Sequence, residues 1–268
     1  MIVKNEDRFV WYAVNSTLPY VDRFIIFDTG STDKTVAVIK TIKSGKIDFY
    51  QKYDASSAHL SSYRKEQADM VKKGWLWLVD ADEVYPRATA ATVVAKMNSP
   101  SRLPGIIVRR YDLLGDIYHY QRETVGSYSH FGITGHYVLR CLDKDTFTNI
   151  EVLGNYPREY FAEKGKPVID LGKAKFFFVE KRIFHAAYLI RSTAGSILFN
   201  TLNRRKYKIE LGLPVNRGQQ PEIFSAPRPD IVPDVTGKRS LTYMVAASIL
   251  TPVKIAKRKL FSLFNSLI

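Results

Sequence analysis

The amino-acid sequence predicts an α/β fold with a mainly parallel central sheet, and two observations support this. Short apolar segments typical of strands alternate with segments of helical periodicity through residues 1–83. Such repetition favours right-handed crossover connections and parallel pairing. Polar clusters also follow three of the predicted strands, and parallel sheets bind ligands beyond the carboxyl ends of their strands. We therefore expect a Rossmann-like sheet flanked by helices.

The predicted elements follow one another in a regular order. Strands are predicted at residues 2–3, 23–27, 47–50 and 75–79, where apolar residues dominate. Helices are predicted at residues 6–18, 33–42 and 61–73, where apolar residues recur at helical spacing. Gly45 and Gly74 follow the last two helices, as is common at helix ends. The apolar run at residues 176–179 is expected to be a further core strand.

Composition narrows the class of protein. A chain of 268 residues can bury a sizeable core in one large domain or two small ones. Its single cysteine, Cys141, excludes a disulfide framework and a cysteine-based zinc site. No secretory signal is apparent after Met1, because charged residues follow at once. These features predict a cytoplasmic protein.

The net charge of +14 indicates an anionic partner. Nucleic acid, an anionic membrane face and a phosphate-bearing substrate all fit that charge. The basic residues lack the interleaved aromatic side chains on which bases would stack, which argues against nucleic acid.

Three carboxylates follow the apolar run at residues 75–79: Asp80, Asp82 and Glu83. Alternation along an extended chain places Asp80 and Asp82 on the same side. Two carboxylates so close are unfavourable unless a cation or hydrogen-bond donors compensate for them. A hard divalent ion, Mg²⁺ or Mn²⁺, is the simplest compensator because it takes oxygen ligands. The alternative is a solvated acidic turn that caps the helix after Pro86.

A second polar cluster, residues 28–33, follows the strand at 23–27 and reads Asp-Thr-Gly-Ser-Thr-Asp. Gly30 permits a tight turn, and a carboxylate at Asp28 could accept a base N–H or ribose hydroxyls. An EF-hand is excluded because Ile39 stands where the bidentate glutamate is required. The Gly-Lys pair of a Walker loop is also missing. A plain capped turn remains the alternative.

Together these motifs resemble the family 2 glycosyltransferases, which have the GT-A fold. The matching segments are residues 1–6 (Met-Ile-Val-Lys-Asn-Glu), 21–35, 63–64 (Tyr-Arg) and 75–83. The resemblance is closest to bacterial enzymes of the cell-envelope and lipopolysaccharide-core type. It implies transfer of a sugar from a nucleotide-diphosphate sugar, with a UDP-sugar expected, and Mn²⁺ or Mg²⁺ as cofactor.

The resemblance also implies roles for the matched residues. Asp28 would contact the donor base, with Val3 and Asn5 beneath the ring, and Arg64 would lie near the nucleotide. Asp80 would bind the ribose, and Asp82 would ligate the metal that bridges the phosphates.

Two later residues are candidates for the same site. The resemblance implies that His185 is a further metal ligand or a diphosphate contact, with Arg191 then placed to bind a phosphate oxygen. The alternative for His185 is a core histidine, because its neighbours are apolar.

Inverting transfer needs a carboxylate that takes the acceptor proton. Glu151 is the first candidate for this base, since it follows the strand-like run at 136–140 at the expected distance. The further candidates for the base are Asp143, Asp145 and Glu159. The alternative interpretation of Glu151 is a surface glutamate on a strand.

The domain organisation predicted from these patterns has three parts. Residues 1–212 form the GT-A catalytic domain, and residues 213–237 form a linker or extended loop rich in Pro, Gly, Gln and Asp. Residues 238–268 form an amphipathic, basic helical segment. That segment is expected to bind the inner face of the cell membrane peripherally, near a glycan or lipid-linked acceptor. The alternative is a helix packed on the catalytic domain or on a partner subunit.

Two other functions remain open. A nucleotidyltransferase would also use metal, nucleotide and a parallel sheet, but no Gly-rich nucleotidyl loop follows the first strand. A non-catalytic binder of polyanions or nucleic acid is suggested by the net charge alone.

Overall fold

The computed structural model describes residues 1–54, 56–101, 103–126, 128–156, 158–194 and 208–265. The α-helices are α1 (Val10–Thr17), α2 (Thr35–Lys40), α3 (Ser57–Met70), α4 (Arg87–Met97) and α5 (Leu241–Asn265). The strands are β1 (Ile2–Val3), β2 (Phe24–Asp28), β3 (Ile47–Gln51), β4 (Trp75–Trp77), β5 (Glu83–Val84), β6 (Gly105–Leu114), β7 (His119–Tyr120), β8 (Tyr128–His130), β9 (Ile133–Gly135), β10 (Tyr137–Asp143), β11 (Glu151–Leu153), β12 (Tyr160–Glu163), β13 (Lys166–Pro167), β14 (Phe176–Tyr188) and β15 (Leu213–Pro214).

The predicted α/β class is confirmed, and the first sheet is wholly parallel. Strands β1, β2 and β3 lie side by side in that order. Helices α1 and α2 connect β1 to β2 and β2 to β3, as the crossover rule requires. The carboxyl ends of β1 and β2 therefore meet at one edge, where Val3 pairs with Asp28.

The second sheet has seven strands and mixed pairing. Its path runs β15-β7-β6-β10-β4, and β14 pairs with both β5 and β6. Long strands β6 and β14 are parallel, whereas β10 is antiparallel to β6 and to β4. The fourth predicted strand thus begins where expected, but its described backbone partner is antiparallel β10. In the part of the chain that the structure describes, parallel pairing is confined to β1–β3 and to the β6–β14 pair.

A single large core joins the two sheets. The main apolar cluster takes side chains from α1, β2, α4, β6 and β14, among them Tyr12, Ile26, Val93, Ile106 and Phe184. All five are almost fully buried, so truncating one to alanine would cost about 2–5 kcal/mol of stability. This core fixes the relative positions of the strand ends that carry the polar clusters.

The segment 213–237 begins with strand β15 and then packs against the core. It contains two short 3-10 turns, Arg217–Gln219 and Glu222–Ser225. The ring of Phe224 lies edge-on to Tyr12, with centroids 5.5 Å apart, and the Tyr12 hydroxyl donates to the Pro233 carbonyl at 3.0 Å. These contacts hold the segment against the main apolar cluster.

Candidate active site

Asp80 lies between two arginines at the end of β4. Arg140, on the antiparallel neighbour β10, places Nη2 2.9 Å from Oδ2 of Asp80 and also contacts the fully buried Glu83. Arg64, on α3, places Nη2 3.2 Å from Oδ1 of Asp80. Burial alone would raise the pKa of Asp80, but Arg140 and Arg64 outweigh it and hold that pKa well below its usual range. The carboxylate is therefore fixed in the ionised form.

Asp82 lies beside His185 and Arg191. Its Oδ2 is 3.5 Å from Nε2 of His185 and 2.8 Å from Nη1 of Arg191. The same Arg191 nitrogen is 2.7 Å from Oε1 of Glu6, which follows β1. Burial opposes the charge on Arg191, but Glu6 and Asp82 together raise its pKa. This arginine therefore stays cationic next to the acidic turn.

Asp112 on β6 orients the ring of His185. Parallel pairing of β6 with β14 places the two residues directly opposite each other, and Nδ1 of His185 is 2.7 Å from Oδ1 of Asp112. Arg110 forms an ion pair with the same carboxylate at 2.9 Å. Burial acts to raise the pKa of Asp112, but the contacts with His185 and Arg110 lower it overall. With a proton on Nδ1, His185 presents the lone pair of Nε2 towards Asp82.

The loop after β2 is held in place by Asp28 and Asn5. Oδ2 of Asp28 accepts hydrogen bonds from the backbone N–H groups of Gly30 and Ser31, both at 3.2 Å. Asn5 has a positive φ of 54° and accepts the backbone N–H of Thr32 at 2.8 Å. Asn5 thus ties the β1 end to this loop. Among the described residues, the other oxygen of Asp28, Oδ1, is buried and accepts no hydrogen bond.

A cavity of about 380 Å³ adjoins Asp80 on the side of β10 and β12. Its polar wall is formed by Arg64, Asp80, Arg140 and Glu159, and its apolar wall includes Tyr137 and Phe178. Burial raises the pKa of Glu159, and the nearby Arg64 reduces that rise. Oε2 of Glu159 is buried and has no hydrogen-bond partner among the described residues. Glu159 therefore contributes a buried carboxylate, without a hydrogen-bond partner for Oε2 among the described residues, to the wall of this cavity.

The structure does not bring Glu151 to this cavity. Glu151 begins β11, and its Oε2 accepts the backbone N–H of Gly165 at 2.9 Å. Two of the reserve candidates are similarly occupied: Asp143 accepts the hydroxyl of Thr146, and Asp145 accepts the N–H of Gly74. These three carboxylates stabilise turns, because short loops follow β10 and β12.

Within the described residues, no cluster of three or more His, Cys, Asp or Glu side chains is spaced to hold a metal ion. Asp82 and His185 nevertheless offer one oxygen and one nitrogen that face each other. Two protein ligands suit Mg²⁺ or Mn²⁺ in sites where substrate phosphates and water complete the shell. The donor set therefore fits a cation that arrives with a diphosphate.

Fold and site together define an α/β enzyme of the GT-A type. The sequence profile of glycosyl transferase family 2 matches residues 1–178, well over half of the chain. The chain belongs to glycosyl transferase family 2.

Among solved structures, the chain is similar to S. aureus TarS, residues 1–349, in a crystal structure. The two share 12% sequence identity with a TM-score of 0.42, and the match covers 69% of this chain and 59% of TarS 1–349. The chain thus spans less than two thirds of the length of that structure. No curated protein matches the chain.

Most of the predicted site residues lie together. Arg64 contacts Asp80, and His185 and Arg191 both contact Asp82 two residues further along the same turn. Val3, Asn5 and Asp28 line the edge of the first sheet. Sequence reasoning missed Arg140 and Asp112, which hold Asp80 and His185. Both lie within strands of the second sheet. Their neighbours in sequence are those of an ordinary strand, so the local sequence does not mark them as site residues.

Proposed function

We propose that this protein is a metal-dependent, inverting glycosyltransferase, and that it takes its sugar from a nucleotide-diphosphate sugar, with UDP-sugar as the expected donor. The observation that carries the proposal is the arrangement around Asp80 and Asp82. One carboxylate is held ionised between two arginines, and the other faces a histidine and a third arginine. A nucleoside diphosphate needs this combination of fixed acceptors, cation ligands and positive charge.

On the nucleotide side, Asp28 would accept an N–H of the base through Oδ1. Val3 and Asn5 would support the ring, and Asp80 would bind the ribose hydroxyls. The unpaired, buried Oδ1 of Asp28 supports this assignment, because an unsatisfied acceptor of that kind costs free energy until a donor reaches it. Arg64 would lie beside the nucleotide and offset its negative charge.

On the diphosphate side, Asp82 and His185 would hold Mn²⁺ or Mg²⁺. When bound, the cation would act as a Lewis acid that offsets charge on the leaving diphosphate. Arg191 would share its guanidinium between Asp82 and a phosphate oxygen, because it has donors beyond the nitrogen that contacts Asp82. Asp112 would keep His185 in the tautomer whose Nε2 can bind metal.

In the transfer step, an acceptor hydroxyl attacks the anomeric carbon and the bond from that carbon to the diphosphate breaks. The hydroxyl proton moves to a carboxylate on the face opposite the leaving group. We assign the role of this proton-accepting carboxylate to Glu159 rather than to Glu151. Its buried, unpaired Oε2 beside Asp80 and its raised pKa support the assignment.

The proposal extends to the acceptor and to the place of action. The acceptor is a cell-envelope glycan or a lipid-linked glycan, and the enzyme works in the cytoplasm, peripherally at the anionic inner face of the cell membrane. Nucleic acid is not a partner. Residues 1–212 would form the catalytic domain, residues 213–237 a packed connector, and residues 238–268 a C-terminal extension.

Thermal unfolding with a panel of nucleoside diphosphates, with and without Mn²⁺, tests the proposal. The cognate nucleotide should raise Tm, and Mn²⁺ should increase that rise, since ligands that bind only the folded state stabilise it. For a chain of this size, each kcal/mol that ligand binding adds to the free energy of unfolding raises Tm by roughly 2–4 °C.

Asp82→Asn should abolish the Mn²⁺-dependent part of this rise. Asp145→Asn is the matched control, because it removes the same charge at a surface turn. The proposal fails if no nucleotide stabilises the protein, or if Asp82→Asn retains the full effect of Mn²⁺.

A further inference from the structure

Among the described residues, helix α5 contacts the rest of the protein through one face. On this packed face Tyr243 and Ala247 are buried, and the hydroxyl of Thr251 accepts the backbone N–H of Leu211 at 2.9 Å. Further along, Lys254 donates to the carbonyl of Ile209, and Arg258 forms a two-pronged ion pair with Glu210 at 2.6 and 2.9 Å. These contacts recur every three or four residues, so they fix the rotation of the helix about its axis.

The opposite face of α5 is an exposed apolar stripe. Its members and their exposed fractions are Leu241 (81%), Val245 (54%), Ile249 (65%), Val253 (62%) and Leu260 (57%). A helix turns about 100° per residue, so these positions fall on one side, centred opposite Tyr243 and Ala247. At about 1.5 Å per residue the stripe is roughly 29 Å long. An apolar surface of this length on a helix that is already docked by its other face indicates a partner.

The charge of the segment selects the partner. Residues 238–268 contain six Lys and Arg and no Asp or Glu. At the same 100° step, Lys257 and Lys259 flank the apolar stripe on its two sides. A symmetric dimer through the stripe would bring two such basic surfaces together, which is unfavourable. A surface that is both anionic and apolar at its boundary matches the apolar stripe and the positive charge of residues 238–268 together.

We propose that this stripe lies flat in the headgroup region of an anionic membrane, with Lys257 and Lys259 at the level of the lipid phosphates. No described helix is long and apolar enough to cross a membrane. The apolar stripe along one side of α5 places the helix axis in the plane of the interface. Because α5 is fixed to the core through Glu210 and Tyr243, membrane binding also sets the orientation of the whole enzyme. The stripe is thus the surface through which the proposed membrane association takes place. This assignment does not depend on the transfer reaction.

Flotation of the full chain with lipid vesicles tests the inference. The chain should float with vesicles of phosphatidylcholine and phosphatidylglycerol, float less with phosphatidylcholine alone, and be released from the anionic vesicles by salt. The double variant Ile249→Asp/Val253→Asp should lose at least about tenfold in the bound fraction, since it buries two charges at the interface. Its Tm should match that of the unaltered chain, because both side chains are exposed.

The matched control is Tyr53→Asp/Leu171→Asp. It places two carboxylates at other exposed apolar residues (83% and 45% exposed), away from α5, and should float as the unaltered chain does. Sedimentation velocity without lipid tests the competing possibility, in which a second copy of the chain covers the stripe. If the chain does not float, or if Ile249→Asp/Val253→Asp floats equally well, the inference is overturned. A dimer that this variant dissociates, without flotation, would identify a second copy as the occupant instead.

Discussion

The proposed nucleotide side and the proposed diphosphate side of the site are built in different ways. On the nucleotide side, Asp28 and Asn5 act from short loops, where backbone N–H groups hold their oxygens. On the diphosphate side, His185 and Asp112 project from long strands whose register places them opposite each other. Loops can adjust to a ligand, whereas side chains on paired strands are fixed before it arrives. We infer that the diphosphate side is preorganised, and that catalysis depends more on it and on the adjoining cavity.

The largest expected effect lies in the cavity next to the preorganised side. Glu159→Gln should lower kcat by about 10²- to 10⁴-fold, the usual contribution of a general base, while the stabilisation by the nucleotide diphosphate is retained. Steady-state kinetics together with thermal shifts would separate the two quantities. Glu151→Gln is the comparison, because its carboxylate only supports the turn at Gly165. A greater loss of kcat in Glu151→Gln than in Glu159→Gln would return the role of base to Glu151.

An intermediate effect is expected at Asp112, which touches neither donor nor acceptor in the proposed arrangement. Asp112→Asn should weaken Mn²⁺ affinity about 10- to 100-fold, because the histidine would lose the partner that fixes its tautomer. Titration of the protein with Mn²⁺ by electron paramagnetic resonance, with the nucleotide diphosphate present, measures that affinity directly.

The chain offers a matched control for this change. Asp116 forms the same type of contact with His119, with Oδ1 2.7 Å from Nδ1, at the end of β6. Asp116→Asn should alter stability but leave Mn²⁺ affinity unchanged. Equal losses of affinity in the two variants would show that Asp112 acts through folding alone.

The two sides also differ in how far the sequence predicts them. On the nucleotide side, each polar residue follows its strand directly, so the edge with Val3, Asn5 and Asp28 could be read from local pattern. His185 and Arg191 were found only through the resemblance to the family. Asp112 was not found, because its role arises from pairing between strands far apart in the chain. Arg140 was not found, because its partners Asp80 and Glu83 lie 60 and 57 residues away in the chain. The local sequence does not show which residues of two distant segments will face each other.

Glu151 illustrates the same limit within the loop region after β10. A catalytic carboxylate is expected there, and Glu151 lies at about the expected number of residues after the strand-like run at 136–140. Distance along the chain does not determine which carboxylate reaches the cavity, because the β11–β12 hairpin reverses direction between Glu151 and Glu159. Three-dimensional burial separates the two glutamates: one is hydrogen-bonded in a turn, and the other has a buried oxygen without a partner among the described residues.

The smallest expected effect is a shift of the pH profile. The base must be deprotonated to accept a proton, so kcat/KM should fall as the pH drops through the pKa of Glu159, which burial raises above its ordinary value. Arg64 partly offsets that rise, since its positive charge favours the carboxylate. Arg64→Gln should therefore move the acidic limb of kcat/KM to higher pH, in addition to any loss of donor affinity. Arg23→Gln, a change of the same charge at the surface pair with Asp48, should leave the limb in place. A limb that does not move in Arg64→Gln would mean that the titrating group lies elsewhere, and that the preorganised side does not extend to Glu159.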